Sequence, residues 1–248
     1  MKIGVTERGD AGLDLTWYGK LNRVDGAILI TKNLTEQFKT RALEATTPVI
    51  LHCTCTGYGA TPLEPCVPDY KKQLDSLKDL INRGFNPERC VLRVDPIFPT
   101  EGGMQRLKNV LDYFISLNTG VTRIRVSIVD EYPHVRERYK ALGIQPVYNG
   151  GFSPSKAQMQ MVADVLNQYD FRYEMCAEDA FVTMLRNGIV TGCVGQTDLK
   201  LMGLPEYKSP YENPQNRRGC HCLTCKMELL ENKKRCGHGC LYCYWKND

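Results

Sequence analysis

The sequence has no apolar run that approaches the ~20 residues needed to span a membrane as a helix. It begins with MKIGVTERGD, which lacks the apolar core of a secretory signal peptide. Internal repeats and low-complexity segments are also absent. We therefore expect a protein of the reducing cytosol that has no membrane partner. Its 248 residues are enough for one well-buried core or one barrel-sized domain.

Cysteine, in contrast, is abundant, with twelve residues. In a reducing compartment this number favours metal ligation or catalysis over disulfide bonds. Three of the thiols, Cys236, Cys240 and Cys243, have the spacing C-x3-C-x2-C. A disulfide framework needs pairs of cysteines, and a structural zinc site needs four ligands, usually in two separated pairs. Three thiolates on a cubane iron–sulfur cluster instead leave one iron without a protein ligand, and an open metal position allows chemistry.

Short apolar runs alternate with amphipathic stretches up to about position 200. The apolar runs predict seven buried strands, at residues 3–5, 26–30, 49–53, 90–94, 124–129, 173–176 and 189–193. Apolar residues at helical spacing predict amphipathic helices at residues 71–83, 104–117 and 156–169. Buried strands that alternate with helices favour an α/β protein with a parallel sheet. We predict a β/α barrel of the TIM type, complete or in a partial or rearranged form.

The composition changes at about Met202. Residues 205–219 contain three prolines and few apolar side chains, which is typical of a surface linker. Six cysteines follow between positions 220 and 243. We expect residues 1–204 to form the barrel, and residues 205–248 to form a linker and a cysteine-rich iron–sulfur segment that packs on the barrel mouth. An independent zinc module is the competing interpretation.

A second group of thiols, Cys220, Cys222 and Cys225, has the spacing C-x-C-x2-C. This spacing is compatible with a second iron–sulfur cluster that a distant residue completes, such as Cys193 or Cys55. It is also compatible with zinc, for which a histidine or another cysteine is the fourth ligand, and with free thiols in a loop. The six C-terminal cysteines together also fit zinc sites without radical chemistry, in a non-catalytic zinc-binding module.

Polar and charged residues follow nearly every predicted strand. In β/α barrels the reacting groups lie at these carboxyl ends, where the loops converge. The residues concerned are Glu7, Arg8, Lys32, Asn33, Thr54, Tyr58, Arg93, Asp95, Ser127, Asp130, Glu178, Gln196 and Asp198. Charged groups at so many successive strand ends predict a polar pocket.

Taken in their order, several fragments of the chain resemble the domain-of-unknown-function family 1848. They are Thr31-Lys32-Asn33, Thr56-Gly57-Tyr58-Gly59, Leu63-Glu64-Pro65, Arg93, Asp95-Pro96-Ile97, Val129-Asp130-Glu131-Tyr132, Cys176-Ala177-Glu178 and His238-Gly239-Cys240-Leu241-Tyr242-Cys243-Tyr244. This family looks like a radical S-adenosylmethionine (SAM) lineage whose cluster motif lies at the C-terminus. The cysteine spacing, with an aromatic residue before the last cysteine, is similar to the motif of radical SAM enzymes. The ending is also similar to that of spore photoproduct lyases, which repair thymine lesions.

The resemblance implies roles for the residues of this motif. Cys236, Cys240 and Cys243 would hold a [4Fe–4S] cluster, whose free iron binds the amino and carboxylate groups of SAM. An electron from an external one-electron reductant would pass through the cluster and cleave SAM to a 5′-deoxyadenosyl radical, which abstracts hydrogen from the substrate. Tyr242 lies where radical SAM enzymes commonly contact the adenine of SAM.

Three residues at strand ends are candidates for further SAM contacts. Arg93, Asp95 and Glu178 would bind its carboxylate, ribose and amino groups. Most radical SAM proteins carry the cluster motif after the first strand, often with a Gly-Gly-Glu segment after the second. Here the motif is C-terminal, and no Gly-Gly-Glu follows the second predicted strand. A rearranged order of the barrel would reconcile the two patterns.

Two residues are candidate catalytic donors of a hydrogen atom to a substrate radical. Cys53 and Cys55 lie two apart on the third predicted strand, so their side chains point to the same face. If that face lines the barrel interior, Cys53 can donate to the substrate. Tyr58 is the rival for this role.

The end of the chain is basic. Residues 217–248 contain seven basic and three acidic side chains, a surplus equal to the net charge of +4 of the whole chain. These cations either offset the charge of cluster thiolates or contact phosphates. Tyr242, Tyr244 and Trp245 either pack the cluster loop on the barrel or stack on bases. We expect a nucleic-acid base or nucleotide as the substrate, in DNA modification, rearrangement or repair; a small metabolite or peptide is the alternative.

Overall fold

Eight short segments form one sheet in the computed structural model, which describes residues 1–208, 219–231 and 236–244. The strands are β1 Ile3–Val5, β2 Gly26–Thr31, β3 Val49–Thr54, β4 Cys90–Ile97, β5 Arg123–Ile128, β6 Arg172–Met175, β7 Gly188–Val190 and β8 Lys226–Glu228. Neighbouring strands are parallel, in the order β7-β6-β5-β4-β3-β2-β1-β8. β3 is buried along its full length, as expected of a parallel strand that is covered on both faces.

Helices connect most of these strands. Those in the described ranges are α1 Glu36–Glu44, α2 Tyr70–Asn82, α3 Glu101–Ser116, α4 Pro133–Ala141, α5 Lys156–Leu166, α6 Asp179–Val182 and α7 Gln196–Leu201, with 3-10 helices at Leu15–Arg23 and Pro87–Arg89. Side chains fix several of their N-termini. The Thr100 hydroxyl accepts a hydrogen bond from the Gly103 amide at the start of α3, and Ser155 and Gln158 form a capping box at α5. No helix in the described ranges is long and apolar enough to cross a membrane.

The predicted α/β architecture with a parallel sheet is confirmed. All seven predicted strands and all three predicted helices are present, with ends that differ by at most three residues. β8 has no counterpart among the predicted strands, because only one of its three side chains is apolar. It pairs with β1, so the predicted boundary after residue 204 separates β8 from the sheet that it completes. Of the predicted linker, residues 209–218 lie outside the described residues.

The two faces of the sheet carry different residues, because side chains alternate along each strand. The helix face packs against α1, α2, α3 and α5 through residues such as Leu29, Leu51 and Leu92. The opposite face, called the inner face here, carries an apolar cluster that includes Ile28 and Ile50. The inner face leads, at the carboxyl ends of the strands, to the polar residues described below.

A buried ion-pair network covers the inner face at β5 and β6. The Arg123 guanidinium donates to Glu174 at 2.7 Å and to Asp198 at 2.8 Å, and Arg125 donates to Glu174 at 2.6 Å. Arg125 also lies 3.3 Å from Nε2 of His52. Burial would raise the pKa of Glu174, but its hydrogen bonds and ion pairs with the two arginines hold that pKa below its usual value. The charges of two arginines and two carboxylates balance each other, so this buried network on the inner face carries no net charge.

Candidate functional site

The cysteine loop, residues 236–244, is bonded to the turn that follows β1. Nε2 of His238 lies 2.8 Å from Oδ2 of Asp10, and Nδ1 of His238 lies 3.2 Å from the Cys66 carbonyl oxygen. The side chains of Asp10 and His238 are both buried. Burial would raise the pKa of Asp10, but the hydrogen bond and the charge of His238 hold it below its usual value. This buried pair fixes the middle of the cysteine loop.

Asp10 also binds the end of β2. Its carboxylate accepts hydrogen bonds from the Thr31 hydroxyl at 2.7 Å, from the Lys32 amide at 2.6 Å and from the Gly12 amide at 2.8 Å. Only glycine fits at position 12, because a Cβ atom there would lie 1.8 Å from the Asn33 carbonyl oxygen. The cysteine loop, the turn after β1 and the end of β2 therefore form one connected unit.

A second buried network holds Tyr242, which precedes the last cysteine of the loop. The Lys32 ammonium donates to Oε1 of Glu64 and to the Tyr242 hydroxyl, both at 2.7 Å. The Tyr242 hydroxyl donates to the same carboxylate oxygen, and the Thr56 hydroxyl donates to the other oxygen at 2.8 Å. Burial would lower the pKa of Lys32 and raise that of Glu64, but the charges and hydrogen bonds of all their partners together outweigh both effects. Glu64 and Lys32 therefore form a charged pair that fixes the Tyr242 ring.

The three thiols of the cysteine loop are half-buried. Burial raises the pKa of Cys240 to about 12, although the charge of Lys32 opposes the rise. Burial also raises the pKa of Cys236, and the charge of Cys243 adds to it. Cys236 and Cys240 are therefore harder to deprotonate than free thiols, and metal binding would displace their protons. The loop thus places three thiols beside a fixed ammonium group, but their three sulfur atoms do not all lie within 4.8 Å of one another.

Arg93, Asp95 and Glu178 lie at the carboxyl ends of β4 and β6. Nε of Arg93 donates to Asp95 at 2.7 Å. Glu178 accepts hydrogen bonds from the Ser127 hydroxyl at 2.5 Å and from the Ile128 amide at 3.3 Å. Burial raises the pKa of Glu178 to about 7, against the effect of these two hydrogen bonds. The carboxyl group of Glu178 therefore lies close to the balance between its charged and neutral forms at neutral pH.

Asp95 connects this group to the cysteine loop. Burial and Glu64 cause the largest effects on the pKa values of Lys32 and Tyr242, and the charge of Asp95 acts on both as well. The charge of Asp95 also adds to burial in raising the pKa of Glu178. Because such effects weaken with distance, Asp95 is near enough to act on Lys32, Tyr242 and Glu178 at the carboxyl edge of the sheet.

The two candidate hydrogen donors lie in different surroundings. The Tyr58 ring lies 4.9 Å from the Phe98 ring, which lies 5.4 Å from the Tyr242 ring, so Tyr58 belongs to the wall of the site. Cys53 and Cys55 instead belong to the apolar cluster of the helix face, and burial raises the pKa of both thiols. The condition for Cys53 as a donor, that its side chain lines the interior, is therefore not met in this structure.

A second group of thiols lies beside β6 and β7. The sulfur atoms of Cys176, Cys193 and Cys222 all lie within 4.8 Å of one another, so this group could bind a metal ion or an iron–sulfur cluster. Sγ of Cys220 lies 3.7 Å from Sγ of Cys176. Within residues 1–208, 219–231 and 236–244, no other set of three or more cysteine, histidine or carboxylate groups has ligand atoms this close together.

Cys225 does not join this second group. Its carbonyl oxygen accepts a hydrogen bond from the Ile3 amide at 2.8 Å, and its side chain packs in the apolar cluster of the inner face. Of the residues that the sequence suggests for a second metal site, Cys193 and two of the three C-terminal thiols come together. Cys176 supplies a thiol to this second group, and Cys225 does not.

Sequence reasoning did not assign Asp10, Glu64 or Cys176 to a site. No spacing relates Asp10 to a histidine at the other end of the chain. Glu64 is part of a fragment that supports the family resemblance, but its hydrogen bonds depend on the fold. A signal for Cys176 was present, because Cys176 and Cys193 both lie at the ends of neighbouring predicted strands.

Most of the residues considered for phosphate contact or base stacking lie outside the described residues. These are Arg217, Arg218, Lys233, Lys234, Arg235, Trp245 and Lys246. Tyr244, the last described residue, is 51% exposed, and its hydroxyl lies 3.3 Å from the Glu7 carbonyl oxygen.

No curated protein matches this chain. The family described as Domain of unknown function (DUF1848) matches residues 17–245, a range that contains β2 to β8 and the whole cysteine loop. Because this match covers nearly all of the sequence, the chain belongs to the DUF1848 family.

Proposed function

We propose that the protein is a radical SAM enzyme in which Cys236, Cys240 and Cys243 hold a [4Fe–4S] cluster. The observation that carries the proposal is the attachment of the cysteine loop to the carboxyl edge of a parallel sheet, through His238 and Tyr242. The loop offers three thiols, which would leave one iron of a cubane for SAM. When bound, the cluster supplies the electron that cleaves SAM.

Lys32 supports this assignment through its charge. Its ammonium group is held at 2.7 Å by Glu64 and Tyr242, and it acts electrostatically on Cys240. A thiolate-bound cluster is an anion in a half-buried position, and a fixed cation beside it lowers the cost of that charge. We assign to Lys32 the role of offsetting part of the cluster charge.

Arg93, Asp95 and Glu178 have the chemistry needed to bind the polar groups of SAM. A guanidinium group binds carboxylates, and carboxylates accept hydrogen bonds from ammonium and hydroxyl groups. Arg93 is bonded to Asp95, and Glu178 is bonded to Ser127. Binding of SAM would share or replace these bonds, and Tyr242 would form the side of the site next to the adenine.

We also propose that the sheet closes into a barrel around this site. The Leu223 amide donates to the Val194 carbonyl oxygen at 3.0 Å, and this bond joins the segment after β7 to the segment before β8. A closed wall would exclude water from a reactive radical. Twelve cysteines, with six of them in metal-binding spacings, are typical of a protein from a reducing compartment, and we propose a location in the cytosol.

For the substrate, we propose a nucleic-acid base or nucleotide. Tyr244 is 51% exposed beside the cysteine loop, and its ring lies 6.3 Å from that of Tyr132. Such a pair presents an aromatic surface on which a base can stack. Tyr242 does not contribute to that surface, because it is buried and bonded to Glu64.

The test of the radical reaction is anaerobic purification, reconstitution with iron and sulfide, and reduction with dithionite in the presence of SAM. We expect a brown protein that forms 5′-deoxyadenosine, measured by chromatography. Cys240→Ala should abolish this product. Cys66→Ala is the matched control, because Cys66 is exposed and meets the cysteine loop through its backbone only. A colourless protein that carries zinc and leaves SAM intact would identify a non-catalytic zinc-binding module instead.

The test of the substrate class is retention on immobilised DNA as a function of salt. Contacts with phosphates weaken steeply as ionic strength rises, so we expect retention at low salt that is lost at high salt. Tyr244→Ala should weaken retention while 5′-deoxyadenosine formation from SAM continues. A protein that is not retained at low salt would favour a small metabolite or peptide as substrate.

A further inference from the structure

The thiols of Cys176, Cys193, Cys220 and Cys222 come from three separate parts of the chain. Cys176 follows β6, Cys193 follows β7, and Cys220 and Cys222 precede β8. β7 and β8 are the two ends of the strand order. The four thiols therefore meet where the two ends of the sheet approach each other.

The sulfur atoms of Cys176, Cys193 and Cys222 lie as close together as ligands to one metal ion, and that of Cys220 adjoins them through its contact with Cys176. Sγ of Cys176 lies 3.7 Å from that of Cys220 and 3.8 Å from that of Cys222. Sγ of Cys193 lies within 4.8 Å of those of Cys176 and Cys222. Four sulfur atoms in a tetrahedron, each ~2.3 Å from a central zinc ion, are about 3.8 Å apart. In a cubane each thiolate binds a different iron, which places the sulfur atoms farther apart, so the spacing favours a single ion.

The backbone at residues 192–193 packs closely against residues 221 and 222. The Cys193 amide donates to Sγ of Cys222 at 3.0 Å, a bond of the kind that orients metal-bound thiolates. Gly192 allows this approach, because a Cβ atom at that position would lie 2.6 Å from the His221 carbonyl oxygen and 2.7 Å from Cα of Cys222. The site is thus shaped by its surroundings as well as by its ligands.

Two cations lie near the thiols. Burial would lower the pKa of Lys226, but the negative charges of Glu7, Cys222 and Cys193 outweigh burial and raise that pKa. The hydrogen bond with Cys176 has the largest effect on the pKa of Cys193, and the positive charge of Arg93 lowers that pKa as well. Four thiolates around a divalent ion carry a net negative charge, which these two cations would offset.

We infer that Cys176, Cys193, Cys220 and Cys222 bind one Zn²⁺ ion that joins the two ends of the sheet. A tetrahedral set of four thiolates selects zinc or an iron–sulfur cluster, and the sulfur–sulfur distances disfavour the cluster. The ion would replace strand pairing as the connection between β7 and β8. The inference does not depend on the proposed function, because none of its ligands belongs to the cysteine loop.

The experiment uses the full-length chain with Cys236→Ser, Cys240→Ser and Cys243→Ser, so that the proposed cluster site binds no iron. Elemental analysis should find about one zinc per chain and no acid-labile sulfide. Adding Cys222→Ser should remove this zinc. Adding Cys225→Ser should not, and this control is closely matched, because Cys222 and Cys225 are 7% and 9% exposed.

A second measurement tests the inference even if the serine variants fail to fold, because it uses the unaltered chain. Zinc-edge X-ray absorption of the unaltered chain should show four sulfur neighbours at ~2.3 Å, and an iron–sulfur cluster does not contribute at that edge. Iron with sulfide in the triple-serine chain, a chain without metal, or zinc that survives Cys222→Ser and is lost with Cys225→Ser would each overturn the inference.

Discussion

Asp10 and His238 are 228 residues apart in sequence, and their side chains meet at 2.8 Å in a buried position. Through this contact the cysteine loop is positioned by the turn after the first strand. Asp10 lies before the part of the chain that matches the family, which begins at residue 17. The position of the three loop thiols therefore depends on a residue near the N-terminus.

The first prediction concerns this pair. Asp10→Ala would leave the imidazole of His238 and the three other donors to Asp10 without an acceptor, so we expect a loss of about 3–5 kcal/mol in the free energy of unfolding. His238→Ala removes one of four donors to a carboxylate that keeps the other three. Its expected cost is smaller, about 1.5–3 kcal/mol. Urea unfolding of the two variants measures the difference.

The control for this prediction is an exposed pair of the same types. Nε2 of His221 lies 3.3 Å from Asp179, and their side chains are 44% and 61% exposed. We expect less than about 1 kcal/mol from Asp179→Ala, because exposed pairs contribute little. Equal losses for Asp10→Ala and Asp179→Ala would contradict a role of the buried pair in fixing the cysteine loop.

The second prediction concerns Glu64, which accepts hydrogen bonds from Lys32, Tyr242 and Thr56. Glu64→Gln removes the charge that balances the buried ammonium group, and we expect a loss of about 3–5 kcal/mol in the free energy of unfolding. Iron bound per chain after reconstitution should fall with it. Adding Lys32→Met should restore part of the stability, since a buried ion pair can be replaced by apolar groups. A double variant no more stable than Glu64→Gln would contradict this account.

The third prediction concerns the buried ion-pair network of the inner face. Glu174 accepts hydrogen bonds from both Arg123 and Arg125 in a buried position, so Glu174→Ala should cost about 3–5 kcal/mol. Glu36→Ala is the control, because Glu36 also pairs with two cations, Lys39 and Arg83, but is 76% exposed. Thermal unfolding of both variants should show a large shift for Glu174→Ala and little change for Glu36→Ala.

The strands could be predicted from the sequence because each is a short buried run between polar segments. β3 is the clearest case, since all six of its residues are buried. β8 could not be predicted, because its residues are half-buried and only its pairing with β1 makes it a strand. The face on which Cys53 lies was also beyond the sequence, because alternation relates neighbours without identifying the side that the helices cover.

In the candidate site, too, some residues could be predicted from the sequence and others only from the fold. The three thiols of the cysteine loop could be identified from their spacing alone. The partners that hold the loop could not, because Asp10 and Glu64 reach it only through the fold. For the second thiol group, the sequence supplied Cys220 and Cys222, while the choice of Cys176 over Cys225 depends on which strand ends are neighbours.

The last prediction concerns the pH dependence of stability. Burial, followed by the charges of Arg125, Arg93 and Arg123, holds the pKa of His52 well below its ordinary value of 6.5. The unfolded chain therefore binds a proton at His52 below pH 6.5 that the folded chain does not bind. Because the unfolded state holds more protons, the contribution of His52 is fully present above that value and is lost as the pH falls, by up to about 1.4 kcal/mol per pH unit. In His52→Gln, which cannot titrate, the free energy of unfolding should fall less steeply between about pH 6.5 and pH 5 than in the unaltered chain. Parallel curves for the two proteins would show that His52 is protonated to the same extent in both states.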